Sequence, residues 1–311
     1  MLSIVFSIYR LLNPNTKQMT RQKQNFLHMV APFFKGIGQI MLQNSVWTGL
    51  FFLAGICCGS LMMGLAAAIA VIIGTFTAML LKYDEDEINS GLYGFSATLV
   101  GVALICFFQP TIIIWIAVLV GSALATIIQH LFIAKKVPAY TFPFILVTWL
   151  LLRILHYVPF LIQQQPVSFV TYANNYLALF SHGIGQVIFQ SNIWAGILFM
   201  VGVFISRPIA AIYAIVGIAL SGMLAYQLKE PISDIYLGLL SYNALLCSIT
   251  FGGNKSEDVL MTLISVVLSV LITVQMRHLN LPVLTFPFVL ATWLTIVIKM
   301  VKQTVQLKLK Q

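Results

Sequence analysis

Long apolar runs alternate with very short polar breaks along the chain, from about residue 26 to about residue 301. A helix needs about 20 apolar residues to cross a hydrocarbon core about 30 Å thick. By that criterion we predict transmembrane helices at about residues 46–63, 64–81, 91–109, 111–133, 140–158, 193–208, 209–227, 236–251, 259–276 and 284–301. The breaks between these runs leave no room for a sizeable soluble domain.

Each half of this pattern opens with a shorter run that helix-disrupting residues interrupt. The first is Phe26–Leu42, which contains a proline, a lysine and two glycines, and the second is Tyr172–Phe189. Irregular backbone is tolerated at membrane depth only where it is buried in protein or lines a cavity. We therefore predict that each run forms a short re-entrant helix, with the runs that begin at Gly91 and Gly238 as the alternative half-helices.

The second half repeats the first residue by residue. GIGQIMLQNSVWTG at residues 36–49 matches GIGQVIFQSNIWAG at residues 183–196, with an offset of 147 residues. At the same offset, GLYGFSATLVG at residues 91–101 aligns with GLLSYNALLCS at residues 238–248. The blocks keep their order, which indicates an internal duplication.

A third block carries the strongest identity between the halves. VPAYTFPFILVTWL at residues 137–150 aligns with LPVLTFPFVLATWL at residues 281–294, with an offset of 144 residues. Each copy contains two prolines, which disfavour a regular helix, so we expect irregular backbone that becomes helical only after Phe144 and Phe288. The shared threonine of each copy lies inside that irregular part.

The number of spans and the placement of charge predict the topology. Five spans per half is an odd number, so the halves should be inserted in opposite directions. With a basic N-terminus inside, Lys135, Lys136 and the basic C-terminus also fall on the cytoplasmic side, whereas Arg277 and His278 fall outside and oppose the rule. We therefore predict an all-α polytopic membrane protein with two inverted-topology repeats, each of about five transmembrane helices and a short re-entrant helix, and a pore at the repeat interface.

The same boundaries divide the chain into five segments. They are a basic amphipathic N-terminal segment (1–25), a first transmembrane repeat (26–158), a polar uncharged linker (159–170), a second transmembrane repeat (171–301) and a basic C-terminal tail (302–311).

Composition agrees with a membrane location. The 311 residues are 60% hydrophobic and 8% charged, whereas soluble domains are roughly a quarter charged. The formal net charge of +9 comes from basic residues at the ends of apolar runs, which indicates contact with the anionic lipid of a bilayer and not with nucleic acid. No enzyme or cofactor motif occurs, and the cysteines have no metal-ligand spacing, so we expect neither a cofactor nor a metal.

The middle of every predicted span lacks Asp and Glu. Coupled carriers usually need an ionisable group at depth, so this pattern favours a passive pathway for a neutral solute. The polar groups that remain at matched, helix-breaking positions are Gln39, Gln186, Thr141 and Thr285. For any one of these residues alone, a role in holding helices together would be the more common use, but four matching residues at helix-breaking sites favour a pathway lining instead.

The doubled L/V-P-x-x-T-x-P-F followed by T-W-L, the G-x-x-Q near the head of each half, and GLYGF resemble the urea transporter family, and a bacterial member of it. The resemblance implies a homotrimer in the cell inner membrane, with one pore per subunit that conducts urea passively. In that family, aromatic and aliphatic walls enclose planar urea while a line of oxygens accepts its hydrogen bonds.

Carried onto this chain, the resemblance implies three groups of pore residues. They are Gln39 and Gln186 at the wider ends, Thr141 and Thr285 at the narrow middle, and Phe95, Leu99, Tyr242 and Leu246 as walls, with Leu42 and Phe189 as further wall candidates.

The chain departs from the family pattern in the motif after each glutamine and at Tyr242, which stands where the first half has Phe95 and adds a hydroxyl to one wall. Members often have Asn-Asn-Pro after the glutamine, whereas this chain has Gln-Asn-Ser at residues 43–45 and Gln-Ser-Asn at residues 190–192.

The alternatives to urea conduction are a channel for another small neutral solute (ammonia, water or other amides), a proton-coupled carrier and, last, an enzyme or a purely structural membrane protein. An ammonia path should place paired histidines at its centre and a water channel an arginine; the histidines are not paired between the halves.

Overall fold

The computed structural model describes residues 29–163 and 176–308, and these residues are nearly all helical. The predicted N-terminal segment (1–25), most of the linker and the last residues of the tail lie outside the described residues. Within them the helices are α1 (29–38), α2 (Val46–Gly59), α3 (Leu61–Leu80), α4 (Glu85–Asn89), α5 (Phe95–Phe107), α6 (Ile112–Ala134), α7 (Phe142–Leu155), α8 (Tyr176–Gly185), α9 (Ile193–Ser206), α10 (Pro208–Gln227), α11 (Ile232–Tyr236), α12 (Tyr242–Phe251), α13 (Ser256–His278) and α14 (Phe286–Lys308).

Helices α1–α7 correspond in order to α8–α14, and α1 and α8 each continue into a short 3₁₀ turn, at Gln39–Met41 and Gln186–Ile188. In the described part of the chain, α3, α6, α10, α13 and α14 are long and apolar enough to cross a membrane. The prediction of a polytopic all-α protein is therefore confirmed.

Half of the predicted full-length spans are wrong in length. The predicted spans at 46–63, 91–109, 140–158, 193–208 and 236–251 contain helices of only 14, 13, 14, 14 and 10 residues. The cause is local backbone geometry that hydropathy does not report. Helix α2, for example, stops at Gly59 because Ser60 is extended and caps α3 instead, its hydroxyl accepting a hydrogen bond from Met63 N–H.

The two runs predicted to be re-entrant each end in a sharp bend. The axes of α1 and α2 differ by 74°, and those of α8 and α9 by 77°. Leu42 and Phe189 make the bends in the left-handed region, with φ of 62° and 58°. Ser45 and Asn192 then cap α2 and α9 through their side chains, so the chain forms this turn without the proline that the family pattern often has.

The third block begins its helices earlier than predicted. Helices α7 and α14 start at Phe142 and Phe286, whereas the sequence predicts helix only after Phe144 and Phe288. The second proline of each block, Pro143 in the first half, fits in the first turn because an N–H there has no partner within the helix in any case.

Every positive-φ residue in the described part of the chain has an equivalent in the other half. The pairs, at offsets of 147 or 144 residues, are Leu42 and Phe189, Lys82 and Lys229, Gly91 and Gly238, Lys136 and Asn280, and Tyr140 and Leu284. Left-handed backbone is uncommon for residues other than glycine, so this coincidence shows that the halves share one backbone plan as well as a sequence pattern.

The two halves pack against each other through α2 and α9. The rings of Phe52 and Phe199 meet edge to face with centroids 5.1 Å apart. Thr48 Oγ1 donates to the carbonyl of Gly202 at 2.8 Å. This contact joins the two halves, and the starts of α7 and α14 form a second contact between them.

Candidate functional site

The threonines of the duplicated block meet where α7 and α14 begin. Thr141 Oγ1 lies 2.7 Å from Thr285 Oγ1, and either hydroxyl can donate to the other. Only 3% of Thr141 and 2% of Thr285 are exposed. Each side chain belongs to a different half, so the contact forms only when the halves assemble.

The backbone around this pair is tied together by reciprocal hydrogen bonds. Trp149 Nε1 donates to the carbonyl of Pro282 at 2.9 Å, and Trp293 Nε1 donates to the carbonyl of Pro138 at 2.8 Å. Trp149 is the equivalent of Trp293, and Pro138 of Pro282. When a residue of one half contacts the other half, and its equivalent makes the same contact in the reverse direction, the halves are related by a two-fold operation. Here that operation relates the two halves around the threonines.

Aromatic contacts repeat the same reciprocity. The rings of Trp149 and Phe286 lie 5.3 Å apart, and those of Trp293 and Phe142 lie 5.1 Å apart. Aromatic pairs at these separations add stabilisation beyond the area that they bury. Each irregular segment that carries a threonine is therefore held by a tryptophan of the opposite half.

The two glutamines lie in the 3₁₀ turns that follow α1 and α8, and both are half-buried. Gln39 Nε2 donates to the carbonyl of Ser90 at 3.0 Å, whereas Gln186 Nε2 donates to Ser191 Oγ at 3.0 Å. Because each bond uses the amide nitrogen, the amide oxygen of each glutamine is the group left to accept from a solute. Asn44 takes the place of Ser191 in the first half, so the two ends differ chemically.

The predicted wall residues lie at the starts of α5 and α12. Phe95, Leu99 and Leu246 are buried, and Tyr242 is half-buried. The Tyr242 hydroxyl donates to the carbonyl of Leu284 at 2.6 Å. This tyrosine therefore directs its hydroxyl at the segment before Thr285, and only its ring remains for an apolar wall.

The remaining wall candidates occupy the bends. Leu42 and Phe189 are half-buried, and the Phe189 ring lies 5.7 Å from that of Phe107 and 6.2 Å from that of Phe144. Helix α5 and the 3₁₀ turns at Gln39–Met41 and Gln186–Ile188 pack together. The structure thus brings the two bends and the short helices of both halves to one region.

Asn243 is a residue of this region that the comparison of the halves did not single out. It is buried, its Nδ2 donates to the carbonyl of Leu284 at 3.2 Å, and its Oδ1 accepts from Phe288 N–H at 3.2 Å. A search for identical residues overlooks it, because its equivalent in the first half is Ser96. The sequence signal that could identify Asn243 is a carboxamide one residue after the predicted wall position Tyr242.

Within the described ranges, no charged side chain is hydrogen-bonded to either threonine hydroxyl. Asp234 pairs with Arg277, and Glu230 lies 3.2 Å from His278 Nε2, so α11 is held to the end of α13. His130 makes a structural hydrogen bond, its Nδ1 lying 2.9 Å from the Tyr93 hydroxyl. Among the described residues no three His, Cys, Asp or Glu side chains come together as a metal site would need.

Comparison with known proteins adds to this geometry. The sequence profile of the family described as "Urea transporter" matches residues 30–300. Over 299 residues, which cover 88% of this chain and 78% of each relative, the chain is 28% identical to Urea transporter 1 of Rattus norvegicus, 27% to that of Mus musculus and 26% to that of Capra hircus. With its apolar helices, this protein is a multipass membrane protein, and the chain belongs to the urea transporter family.

Proposed function

We propose that this protein conducts urea passively across a membrane, along a path that passes between Thr141 and Thr285. The observation that carries the proposal is the buried contact of these two hydroxyls, 2.7 Å apart, at the meeting point of the two halves. Family membership is the reason for proposing urea as the solute, because the relatives are named urea transporters.

The chemistry of a threonine pair suits urea. Urea is planar and offers N–H donors and one carbonyl acceptor, and each threonine hydroxyl can both donate and accept. The Thr141–Thr285 bond can therefore be exchanged for bonds to urea without leaving a buried polar group unpaired. An ion at the same point would lose far more hydration than two hydroxyls can replace.

The other predicted pore residues fit the same path. The amide oxygens of Gln39 and Gln186 would accept urea N–H groups at the two wider ends. Between these ends, apolar side chains would flank the flat faces of urea. This arrangement favours a planar solute over a hydrated ion. The proposed wall residues are Phe95, Leu99, Tyr242, Leu246, Leu42 and Phe189.

Passive conduction is supported by the positions of the carboxylates. All eight acidic residues lie in the segments before or at the starts of helices α4, α11 and α13, or in α4 and α11 themselves. None of them is hydrogen-bonded to the threonine pair, where a proton-coupled or sodium-coupled carrier would need a charged group. In the part of the chain that the structure describes, no acid or base is hydrogen-bonded to the threonine hydroxyls to activate them, so we propose transport and not catalysis.

The resemblance to the family supports a further set of proposals. These are opposite orientation of the two repeats, cytoplasmic termini, a bacterial inner-membrane location and a homotrimer with one pore per subunit. Light scattering of the purified protein in detergent tests the assembly, because it should give the mass of three chains and a monomer mass would exclude the trimer.

Stopped-flow light scattering on proteoliposomes tests the proposed function. Urea, thiourea, glycerol and water fluxes are compared with those of empty liposomes, with and without a proton gradient. We expect urea to equilibrate faster than in empty liposomes, at a rate that the gradient leaves unchanged. Urea flux equal to that of empty liposomes would refute the function, and flux that follows the gradient would identify a coupled carrier.

A further inference from the structure

The segment that carries Thr285 is tied to α12 at both of its ends. Asn243 binds the carbonyl of Leu284, one residue before Thr285, and the N–H of Phe288, three residues after it. The Tyr242 hydroxyl adds a second bond to the same Leu284 carbonyl, at 2.6 Å. One carboxamide therefore brackets the threonine, and its neighbour reinforces the bracket.

The segment that carries Thr141 has no equivalent bracket. The residues at the matching positions of α5 are Phe95, which has no hydroxyl, and Ser96, whose Oγ donates to Gln129 Oε1 at 3.3 Å. Within the described residues, no side chain is hydrogen-bonded to the carbonyl of Tyr140 or the N–H of Phe144. The Phe144 N–H is one of the orphan donors that every helix start leaves.

Both segments start from the same strained conformation. Tyr140 has φ of 48° and Leu284 has φ of 44°, in the left-handed region that residues with a Cβ rarely adopt. Such a residue persists only when its surroundings hold it. Asn243 and Tyr242 supply that hold in the second half, through the Leu284 carbonyl, whereas α5 supplies no side chain for it in the first half.

We infer that Asn243 is a positioning residue for Thr285, and that the two threonines are therefore not equivalent. Thr285 presents a fixed hydroxyl, and Thr141 is the partner whose segment moves when a solute replaces the bond between them. The inference rests on the proposed function, because the Thr141–Thr285 contact is taken as the point through which urea passes.

Hydrogen–deuterium exchange tests the difference between the segments without any transport assay. In the wild-type protein the amide of Phe288 should exchange more slowly than that of Phe144. Asn243→Ser, which installs the residue of the first half, should speed exchange at Phe288 by about fivefold to tenfold, the effect of losing one hydrogen bond of ordinary strength. Ser96→Ala, the matched control, should change neither amide; equal wild-type exchange at Phe144 and Phe288 would overturn the inference.

A double-mutant cycle on urea permeability tests whether Asn243 acts through Thr285. Asn243→Ser should slow urea by about fivefold, and Asn243→Ser combined with Thr285→Val should slow it no more than Thr285→Val alone. Additive losses would show that Asn243 acts elsewhere. If Asn243→Ser fails to fold, Tyr242→Phe takes its place in the cycle. This variant removes one hydroxyl only, so it should slow urea by a smaller factor in the same non-additive way.

The two experiments separate the inference from the function beneath it. If wild-type protein carries no urea, the proposed function fails, and the exchange rates at Phe144 and Phe288 still decide whether Asn243 holds the segment of Thr285. If urea flux is present but exchange is equal at the two amides, the function stands and the inference fails.

Discussion

A hydroxyl buried between helices is costly unless it has a hydrogen-bond partner. Thr141 and Thr285 satisfy each other at 2.7 Å, with almost no exposure to the surroundings. The pair is also the point at which the proposed function requires a bond to open and close. Its stability and its use by a solute therefore depend on the same two oxygens.

Removing both of these hydroxyls should destabilise the protein by less than the sum of the two single removals. Thr141→Val leaves the Thr285 hydroxyl buried without its partner, which should cost about 1–3 kcal/mol. The double variant with Thr285→Val should cost clearly less than the sum of the single variants. Unfolding in detergent measures this coupling, and strictly additive losses would contradict a direct bond between the side chains.

For single residues, comparison of the two halves of the sequence finds the positions at which the halves are identical and misses functional residues that occur in one half only. Thr141 and Thr285 are found by their identity within the duplicated block, and the structure brings them into contact. Asn243 is not found, because Ser96 stands at the matching position. The direction of the Tyr242 hydroxyl is likewise fixed by a carbonyl 42 residues away along the chain, which no local pattern reports.

Among the helices, hydropathy predicts the location of apolar segments better than their length. The predicted span at residues 91–109 contains α5, which starts only at Phe95. Tyr93 before it is buried in a turn that follows Gly91, whose φ is +76°. A hydropathy window does not distinguish apolar residues in a buried turn from apolar residues in a helix, so it predicts this short helix as a full span.

The bent helix pairs depend on close backbone contact at matched glycines. A Cβ at Gly49 in α2 would overlap the carbonyl of Phe34 in α1, and one at Gly196 in α9 would overlap that of Ser181 in α8. Small residues allow such close approach between helices in a membrane. The bend that places Gln39 and Gln186 therefore requires glycine at these positions.

Gly49→Ala should accordingly destabilise the protein by about 1–3 kcal/mol, the usual cost of forcing an extra carbon into a packed interior. Gly222→Ala is the matched control, because the nearest atom to a Cβ there is 3.8 Å away. Thermal unfolding in detergent should show a lower midpoint for the first variant only. Equal midpoints for both variants would argue against the backbone contact.

For the whole molecule, the matched left-handed residues and reciprocal tryptophan bonds describe two copies of one backbone plan around a two-fold relation. The proposed inverted orientation of the two repeats would make the copies run in opposite directions through the membrane. Lys82 and Lys229 are suitable reporters of orientation, since they are equivalent and both exposed at the ends of α3 and α10.

Cysteine labelling should place these reporters on opposite sides. In a background without the four native cysteines, Lys82→Cys should react with a membrane-impermeant maleimide from one face of the membrane only, and Lys229→Cys only from the other. Labelling of both positions from the same face would show parallel repeats and exclude the inverted arrangement.

The central claim is that urea crosses the protein between Thr141 and Thr285, and one comparison of urea permeability tests it most directly. Proteoliposomes are prepared with the wild-type protein, with the Thr141→Val and Thr285→Val double variant, and with Thr295→Val, whose hydroxyl donates to the Ala291 carbonyl of its own helix. We predict that the double variant conducts urea at least about tenfold more slowly, as expected when two hydrogen bonds at the narrow point are lost, while Thr295→Val conducts like the wild type. Urea permeability in the folded double variant equal to that of the wild type would contradict the account.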